Sequence, residues 1–288
     1  MKKVRTVMGD VDPEEIGITL IHEHTYLLDH KIQFKELADF KKQGGSCVVD
    51  QTTIDLGRQP DLLKQLTEMT GLHVIASTGF YREEHHPDTI SGAEIGFIAD
   101  MMIREIEESI EGVAYKAGLI GEVGTTEFGT TQQEVKTLRA SARAHLATGV
   151  TVSVHTMGGA EALKAIDILT DEGVAPQRIM IDHIDLDHVE HLRMVAERGV
   201  FLGFDTIGKT RYRDDTLRLD VLCAMVDAGY EDLIVLSHDI SKPDYLKTNG
   251  GHGYVHLLGT FVPRLRERVS EETIEKFLIN NPRRVLAF

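Results

Sequence analysis

The chain alternates short, nearly continuous apolar runs with longer segments of helical period. The runs occupy residues 18–24, 46–52, 73–79, 117–124, 151–156, 179–184, 200–207 and 233–240. They do not show the strict apolar–polar alternation of a half-exposed strand, which predicts parallel strands covered on both faces. Between them, apolar positions recur at helical spacing. Val135, Leu138, Ala142 and Leu146 share one face of 131–148, ahead of Gly149. Val189, Leu192, Val195 and Ala196 do so in 188–198, ahead of Gly199, and Leu217, Val221 and Met225 in 214–228, ahead of Gly229. A glycine just past the last periodic residue is a helix stop signal. A further helix is predicted near 94–109, after a long loop at about 80–93.

Eight strands, each followed by a helix, is the count for an α/β fold of the closed (β/α)8 TIM-barrel type. Residues 4–17 precede the first strand as a short N-terminal β extension. A doubly wound open sheet is the alternative; eight similar units favour closure. No linker or low-complexity segment interrupts the pattern, so residues 1–288 are expected to form a single domain, and barrels of about 250 residues are routinely one domain.

Charge narrows the partners. With 31 basic and 46 acidic residues the formal net charge is −15. Such a surface repels phosphate backbones and anionic lipid, which argues against nucleic acid or membrane as the main partner. A small anionic molecule in a locally basic pocket stays compatible. Cys47 and Cys223 lie in apolar stretches without metal-ligand spacing and read as buried small hydrophobes in a reducing compartment. No apolar run approaches the length of about 20 residues that crosses a bilayer, and no signal-peptide core follows the N-terminal lysines. The expectation is a soluble cytoplasmic protein.

In a parallel barrel the C-terminal strand ends carry the active site. The first run ends in His22, Glu23 and His24, and residues at i and i+2 of a strand share a face. Glu23 should point the other way and is not counted as a ligand. The fourth run ends in Gly121-Glu122-Val123-Gly124, the fifth in Val154-His155-Thr156, the sixth in Asp182-His183-Ile184 and the eighth carries Ser237-His238-Asp239 near its end, from which Glu122, His155, His183 and Asp239 are the candidates. Ionisable side chains that close apolar strands must be paired or coordinate metal. Four imidazoles and two carboxylates without thiolate suit Zn²⁺, with Mn²⁺ or Co²⁺ as substitutes. Six ligands are too many for one tetrahedral ion and suit two.

The words around these residues are GITLIHEH from Gly17, KAGLIGEVGT from Lys116, ATGV from Ala147, FDTIGK from Phe204 and NPR from Asn281. With the ligand set, they resemble the phosphotriesterase family of the amidohydrolase superfamily, from about residue 4 to the C-terminus. The similarity is greatest to its branch of phosphotriesterase homology proteins, in which Glu rather than a carboxylated Lys bridges two metals. The resemblance implies that His22, His24 and Asp239 hold the more buried ion, that His155 and His183 hold the more exposed one, and that Glu122 bridges them. Water shared by two cations becomes a nucleophile at neutral pH. The expected activity is therefore hydrolysis of a lactone or ester carbonyl, with Asp239 as the catalytic group that takes the proton of the water. The sequence departs from phosphotriesterases proper at Thr206, where some members carry a relay histidine, which disfavours efficient phosphotriester hydrolysis. Asp185 reads either as a partner of the ligand set or as an acid near His188 at a helix start.

The loops at 207–214 and 240–253 carry Lys209, Arg211, Arg213, Lys242 and Lys247. Barrels often bind phosphate at the loops after strands seven and eight. These side chains, Lys209 and Lys242 foremost and Arg211 with them, are expected to grip an anionic group of the substrate. The alternative is a set of solvated charges paired with Asp214, Asp215 and Asp244. Lactonases of the resembled family, some acting on phosphorylated sugar lactones, favour a charged lactone. Tyr81 and Phe80 are placed to line the pocket, Phe80 alternatively to be core, and His85 and His86 to lie on the surface. Competing activities are an organophosphate phosphotriesterase, a metal-dependent phosphodiesterase or deoxyribonuclease with a similar ligand order, and a non-catalytic binding barrel. The resemblance also implies a homodimer.

Overall fold

A computed structural model describes residues 2–25, 29–127 and 129–288. Strands β1 (Val4–Thr6) and β2 (Gly9–Val11) form an antiparallel hairpin, the expected N-terminal extension. Eight parallel strands follow in sequence order around one sheet: β3 (Ile18–Glu23), β4 (Gly45–Asp50), β5 (His73–Thr78), β6 (Leu119–Gly124), β7 (Val152–His155), β8 (Ile179–Ile181), β9 (Phe201–Phe204) and β10 (Ile234–Leu236). Helices α1 (His30–Lys42), α2 (Pro60–Thr70), α3 (Ile95–Glu107), α4 (Gln132–Thr148), α5 (Gly159–Asp171), α6 (Val189–Ala196) and α7 (Asp215–Asp227) alternate with them. The ring closes where β10 meets β3: the Asp239 N–H donates to the His22 carbonyl at 3.1 Å, and the His22 N–H donates to Ser237 Oγ at 3.1 Å. This is a (β/α)8 TIM barrel.

The double burial of the strands explains their near-continuous apolar runs. Ile21, Cys47, Val49, Ile75, Leu119, Met180, Phe201 and Val235 pack inside the barrel, closed below by Val4, Ile16 and Val285. Their neighbours Leu20, Val48, Val74, Ile120, Val152, Ile181, Leu202 and Leu236 pack outward under the helices. The apolar plug fills the lower barrel and leaves the C-terminal strand ends to polar side chains. Helix limits follow local chemistry. In α4, Thr131 and Glu134 form a reciprocal capping box and Gly149 ends the helix in the left-handed conformation.

Two irregularities aim the polar residues. In β3, Leu20 pairs with Val48 and Glu23 with Asp50, so three steps oppose two. In β6, Ile120 pairs with Val152 and Val123 with Val154, again three against two. Each is a β-bulge, which inserts a residue and shifts the phase of the alternation. Regular alternation after inward Leu119 would turn Glu122 outward; the bulge turns it in. Gly121 makes this bulge with φ +141°, and a Cβ there would lie 2.5 Å from the Ser153 carbonyl oxygen.

The predicted runs overshoot the strands. The runs at 179–184, 200–207 and 233–240 contain only Ile179–Ile181, Phe201–Phe204 and Ile234–Leu236 as strand. The chain stays apolar past each strand because Ile184, Ile207 and Ile240 are themselves buried core residues. His183 and Asp239 accordingly lie beyond their strands, in left-handed conformations with φ +59° and +51°. Such backbone is strained for residues other than glycine and concentrates at functional sites.

Candidate metal centre

Five β-strands and the turns after them bring the six expected ligands together, all buried. Glu122 lies at the middle. Its Oε1 is 3.3 Å from His24 Nε2, while its Oε2 is 2.9 Å from His155 Nδ1, 3.5 Å from His183 Nε2 and 3.7 Å from His22 Nε2. Asp239 Oδ1 is 3.1 Å from His24 Nε2, and its Oδ2 accepts from the Lys209 ammonium. Ligand-type atoms of His22, His24 and Asp239 lie within 4.8 Å of one another, as do those of His22, Glu122 and His183.

Outer partners orient the imidazoles. Asp205 Oδ2 is 3.0 Å from His22 Nδ1, and its Oδ1 is 2.8 Å from both His183 Nδ1 and the His183 N–H. Thr52 Oγ1 is 3.0 Å from His24 Nδ1. With Nδ1 engaged by Asp205, the Nε2 atoms of His22 and His183 face Glu122, the arrangement that fixes tautomers at metal sites. The sequence pattern alone does not single out Asp205. Its signals were its place directly after a buried apolar strand and inside the word FDTIGK.

Asp185 lies in the first turn of a short 3-10 helix, Ile184–Leu186, as one of its two readings expects, and is not a direct partner of the ligand set. It is fully buried, accepts from Arg218 Nε at 2.7 Å and from the Thr206 hydroxyl at 2.6 Å, and does not touch the ligand imidazoles. Arg218 in turn donates to Asp215 at 2.9 Å and to the Lys209 carbonyl at 3.2 Å. This buried group braces the 206–209 turn and fixes the backbone from which Lys209 reaches Asp239.

The electrostatics suit cations. Burial disfavours a charged imidazole at His24, but Asp239 and Glu122 hold its pKa up to about 9. Burial is likewise overcome at His22 by Asp182, Glu122 and Asp205, and at His183 by Asp205 and Glu122, so both sit well above the usual value. At His155 burial wins and lowers the pKa. Burial also opposes the Asp239 carboxylate, but Lys209, His24 and His183 hold its carboxyl well below the usual range. Without metal, the raised values at His22, His24 and His183, but not His155, favour protons that offset the buried carboxylates. His22 Nε2, buried, has no hydrogen-bond partner among the described residues. A set of imidazole nitrogens and carboxylate oxygens with such an atom fits divalent ions.

The raised pKa values set a sign. With its pKa held up to about 9, His24 would have to release a proton in order to ligate, so metal binding is expected to expel protons and to tighten as pH rises toward about 9. Between pH 8 and 6, affinity for Zn²⁺ is expected to fall about tenfold per pH unit for each proton displaced. Chelator competition across this range checks it, and a flat profile contradicts it.

A cavity of about 360 Å³ opens above the cluster, lined among others by Leu56, Tyr81, Arg82, Met157, Leu186 and Lys242. Tyr81 Oη is 3.0 Å from His155 Nε2. Burial and Glu122 push the Tyr81 phenol well up, so it stays a proton donor. Phe80 is core. His85 is exposed as expected but stands on the cavity rim. His86 is only half exposed, because its ring packs on Phe80 and its Nε2 lies 2.7 Å from the Tyr81 carbonyl oxygen.

The basic loop residues divide. Lys209 is buried against Asp239, with Ser241 Oγ at 3.2 Å. Arg213 donates to the Asp185 and Asp187 carbonyls, both at 2.7 Å, and ties loops together. Lys247 lies in a separate hollow beside Glu36. Lys242 lines the cavity above the cluster and, with Arg211 and His252, an adjoining one of about 630 Å³. Among the described residues, none of the five pairs with Asp214, Asp215 or Asp244.

The model of the phosphotriesterase family matches residues 2–286. The chain belongs to the phosphotriesterase family. It is 34% identical over 281 residues to the phosphotriesterase homology protein of Escherichia coli (strain K12), covering 92% of this chain and 96% of that one. A crystal structure of the Escherichia coli phosphotriesterase homology protein, complexed with phosphate in the active site, matches with a TM-score of 0.92 at 33% identity, over 96% of this chain and all 100% of that one. A lactonase from Listeria monocytogenes matches with a TM-score of 0.94 at 29% identity, over 99% and 98% of the two chains. The N-acetyltaurine hydrolase of Bos taurus is 32% identical over 344 residues, 99% of this chain and 98% of that one. The phosphotriesterase family is a metal-dependent family of hydrolases, and its members include lactonases and N-acetyltaurine hydrolases. No helix among the described residues is long and apolar enough to cross a membrane.

Proposed function

We propose that this phosphotriesterase-family protein is a binuclear zinc hydrolase of a small lactone or ester that carries an anionic group. The observation that carries the reading is the convergence of His22, His24, His155, His183 and Asp239 around Glu122 on the floor of one cavity. His22, His24 and Asp239 would hold one ion, His155 and His183 the other, and Glu122 would serve both. Bound there, the ions would supply Lewis acidity toward water and toward the oxygen of the scissile group.

The chain's own residues supply the rest. Asp239 is the base that takes the proton of the attacking water, and Lys209 holds its Oδ2. The Tyr81 phenol is a donor at the cavity wall. Leu56, Met157 and Leu186 give an apolar wall for the carbon skeleton. With the Lys209 ammonium engaged on Asp239, the grip on an anionic end falls to Lys242 and Arg211, neither of which has a carboxylate partner among the described residues. In a chain of net charge −15 such cations are a local attractor for anions. The phosphate in the active site of the Escherichia coli relative supports an anionic substrate. Amide hydrolysis is the second reading, favoured by the N-acetyltaurine hydrolases, whose named substrate is an amide bearing a sulfonate.

A hydrolysis screen of the zinc-loaded protein tests the proposal, with phosphorylated sugar lactones, neutral lactones, N-acetyltaurine, a phosphotriester and single-stranded DNA. Phosphorylated lactones are expected to lead, with a Lys242→Met, Arg211→Met double variant raising their KM about tenfold and leaving neutral lactones unchanged. Equal rates on charged and neutral lactones contradict the anionic substrate, and turnover of DNA alone contradicts the acyl chemistry.

A further inference from the structure

Glu23, the last residue of β3, stands between His22 and His24, faces away from them and is fully buried. Its Oε1 accepts from the Ser237 hydroxyl at 2.8 Å, the His238 N–H at 3.1 Å and His238 Nδ1 at 2.9 Å, and its Oε2 accepts from the Ile240 N–H at 2.9 Å. The Leu257 N–H donates to His238 Nε2 at 3.0 Å, so the ring proton sits on Nδ1 and points at Glu23. Four donors therefore come from one segment, 237–240, and the two amides among them flank Asp239. Asp239 is the residue with φ +51°, and neighbouring N–H groups around a left-handed residue form a cup for an anion. Here the anion is the Glu23 side chain.

The same contacts tie both strands of the barrel seam. Ser237 Oγ, which donates to Glu23, accepts the His22 N–H at 3.1 Å. The Asp239 N–H donates to the His22 carbonyl at 3.1 Å. His155 ends β7 and His183 lies in the turn just past β8, and neither makes a hydrogen bond to Glu23.

We propose that Glu23 is a positioning residue that assembles the half-site of His22, His24 and Asp239, by holding Asp239 in its left-handed turn opposite the two imidazoles. The inference rests on the reading of those three side chains as ligands of one ion. Its signature is selectivity: loss of Glu23 weakens that half-site and spares the one formed by His155 and His183. Gln is the informative replacement, because its amide nitrogen cannot accept and one side of the cup is lost. Ser237→Ala removes the hydroxyl shared by Glu23 and His22 without a charge change.

The test loads full-length wild type, Glu23→Gln and Ser237→Ala with Co²⁺. Ion content after dialysis, the visible Co²⁺ spectrum and the melting temperature are then compared. Wild type is expected to keep two ions. Glu23→Gln should keep one and bind the second at least about tenfold more weakly, with loss of one component of the spectrum. Ser237→Ala should show a smaller loss of the same component. Two ions and an unchanged spectrum in both variants overturn the inference. So does equal weakening of both ions alongside a lowered melting temperature, which makes Glu23 a general fold residue. If Glu23→Gln does not fold, Ser237→Ala decides by the same criteria. A wild type that retains no ion overturns the ligand reading itself and this inference with it, a result distinct from failure in the variants alone.

Discussion

Glu122→Gln is expected to leave the protein with fewer than two ions and to lower kcat/KM on the order of 10³-fold. The reason is the division of labour between its oxygens: Oε1 faces His24, and Oε2 faces His155, His183 and His22. An amide has one oxygen, so either orientation abandons one side of the cluster. The metal-free variant should also be less stable, because breaking a buried ion pair and leaving a charge unpaired costs about 3–5 kcal/mol. The sign in pH follows from His22 and His183, whose pKa values in the wild type lie well above 6.5. Their pairing stabilises the fold fully below pH 6.5 and is lost as pH rises through the raised values. The stability deficit of the metal-free variant should therefore be largest below pH 6.5 and shrink in alkali. Ion content by mass spectrometry, steady-state kinetics and melting curves from pH 6 to 9 measure all three. Two retained ions with wild-type turnover contradict a bridging Glu122.

Asp239→Asn is expected to cut kcat by about 10²–10⁴-fold, the range for loss of a general base. The side chain is divided as Glu122 is, with Oδ1 toward His24 and Oδ2 on Lys209. Asn retains one oxygen for the imidazole side and presents N–H to an ammonium that can only donate, so Lys209 is left buried without its carboxylate, with Ser241 Oγ as its remaining acceptor. The variant should therefore lose stability as well as rate. Rates on substrates of matched size but different leaving group, together with ion content, separate loss of the base from loss of an ion. Wild-type turnover with two ions bound removes Asp239 as base and revives the reading of a barrel that binds without catalysis.

The sequence made the ligand chemistry legible for a simple physical reason. Imidazoles and carboxylates at the ends of apolar strands cannot stay buried without partners, so His22, His24, Glu122, His155, His183 and Asp239 stand out against their surroundings. Helix ends were legible where caps are local, as at Thr131 and Gly149 of α4. Strand ends were not, because Ile184, Ile207 and Ile240 continue the apolar runs into buried loops. Lys209 read as a free cation for the substrate, since nothing along the chain shows that its ammonium reaches an aspartate 30 residues on.

By itself, then, the sequence determined the strand count and the (β/α)8 barrel, which follow from hydrophobic period, and the candidate ligands, which the cost of burying charge brings out at the strand ends and the family resemblance selects from neighbours such as Asp182 and His238. Only the tertiary structure decided where those side chains point. Glu122 faces the centre through a bulge whose one-residue shift inverts the alternation. Asp239 faces it from a left-handed turn cupped around Glu23, and His22 and His183 turn their Nε2 atoms inward because one carboxylate, Asp205, engages both rings. These are distances between residues on different strands, and barrel closure sets them.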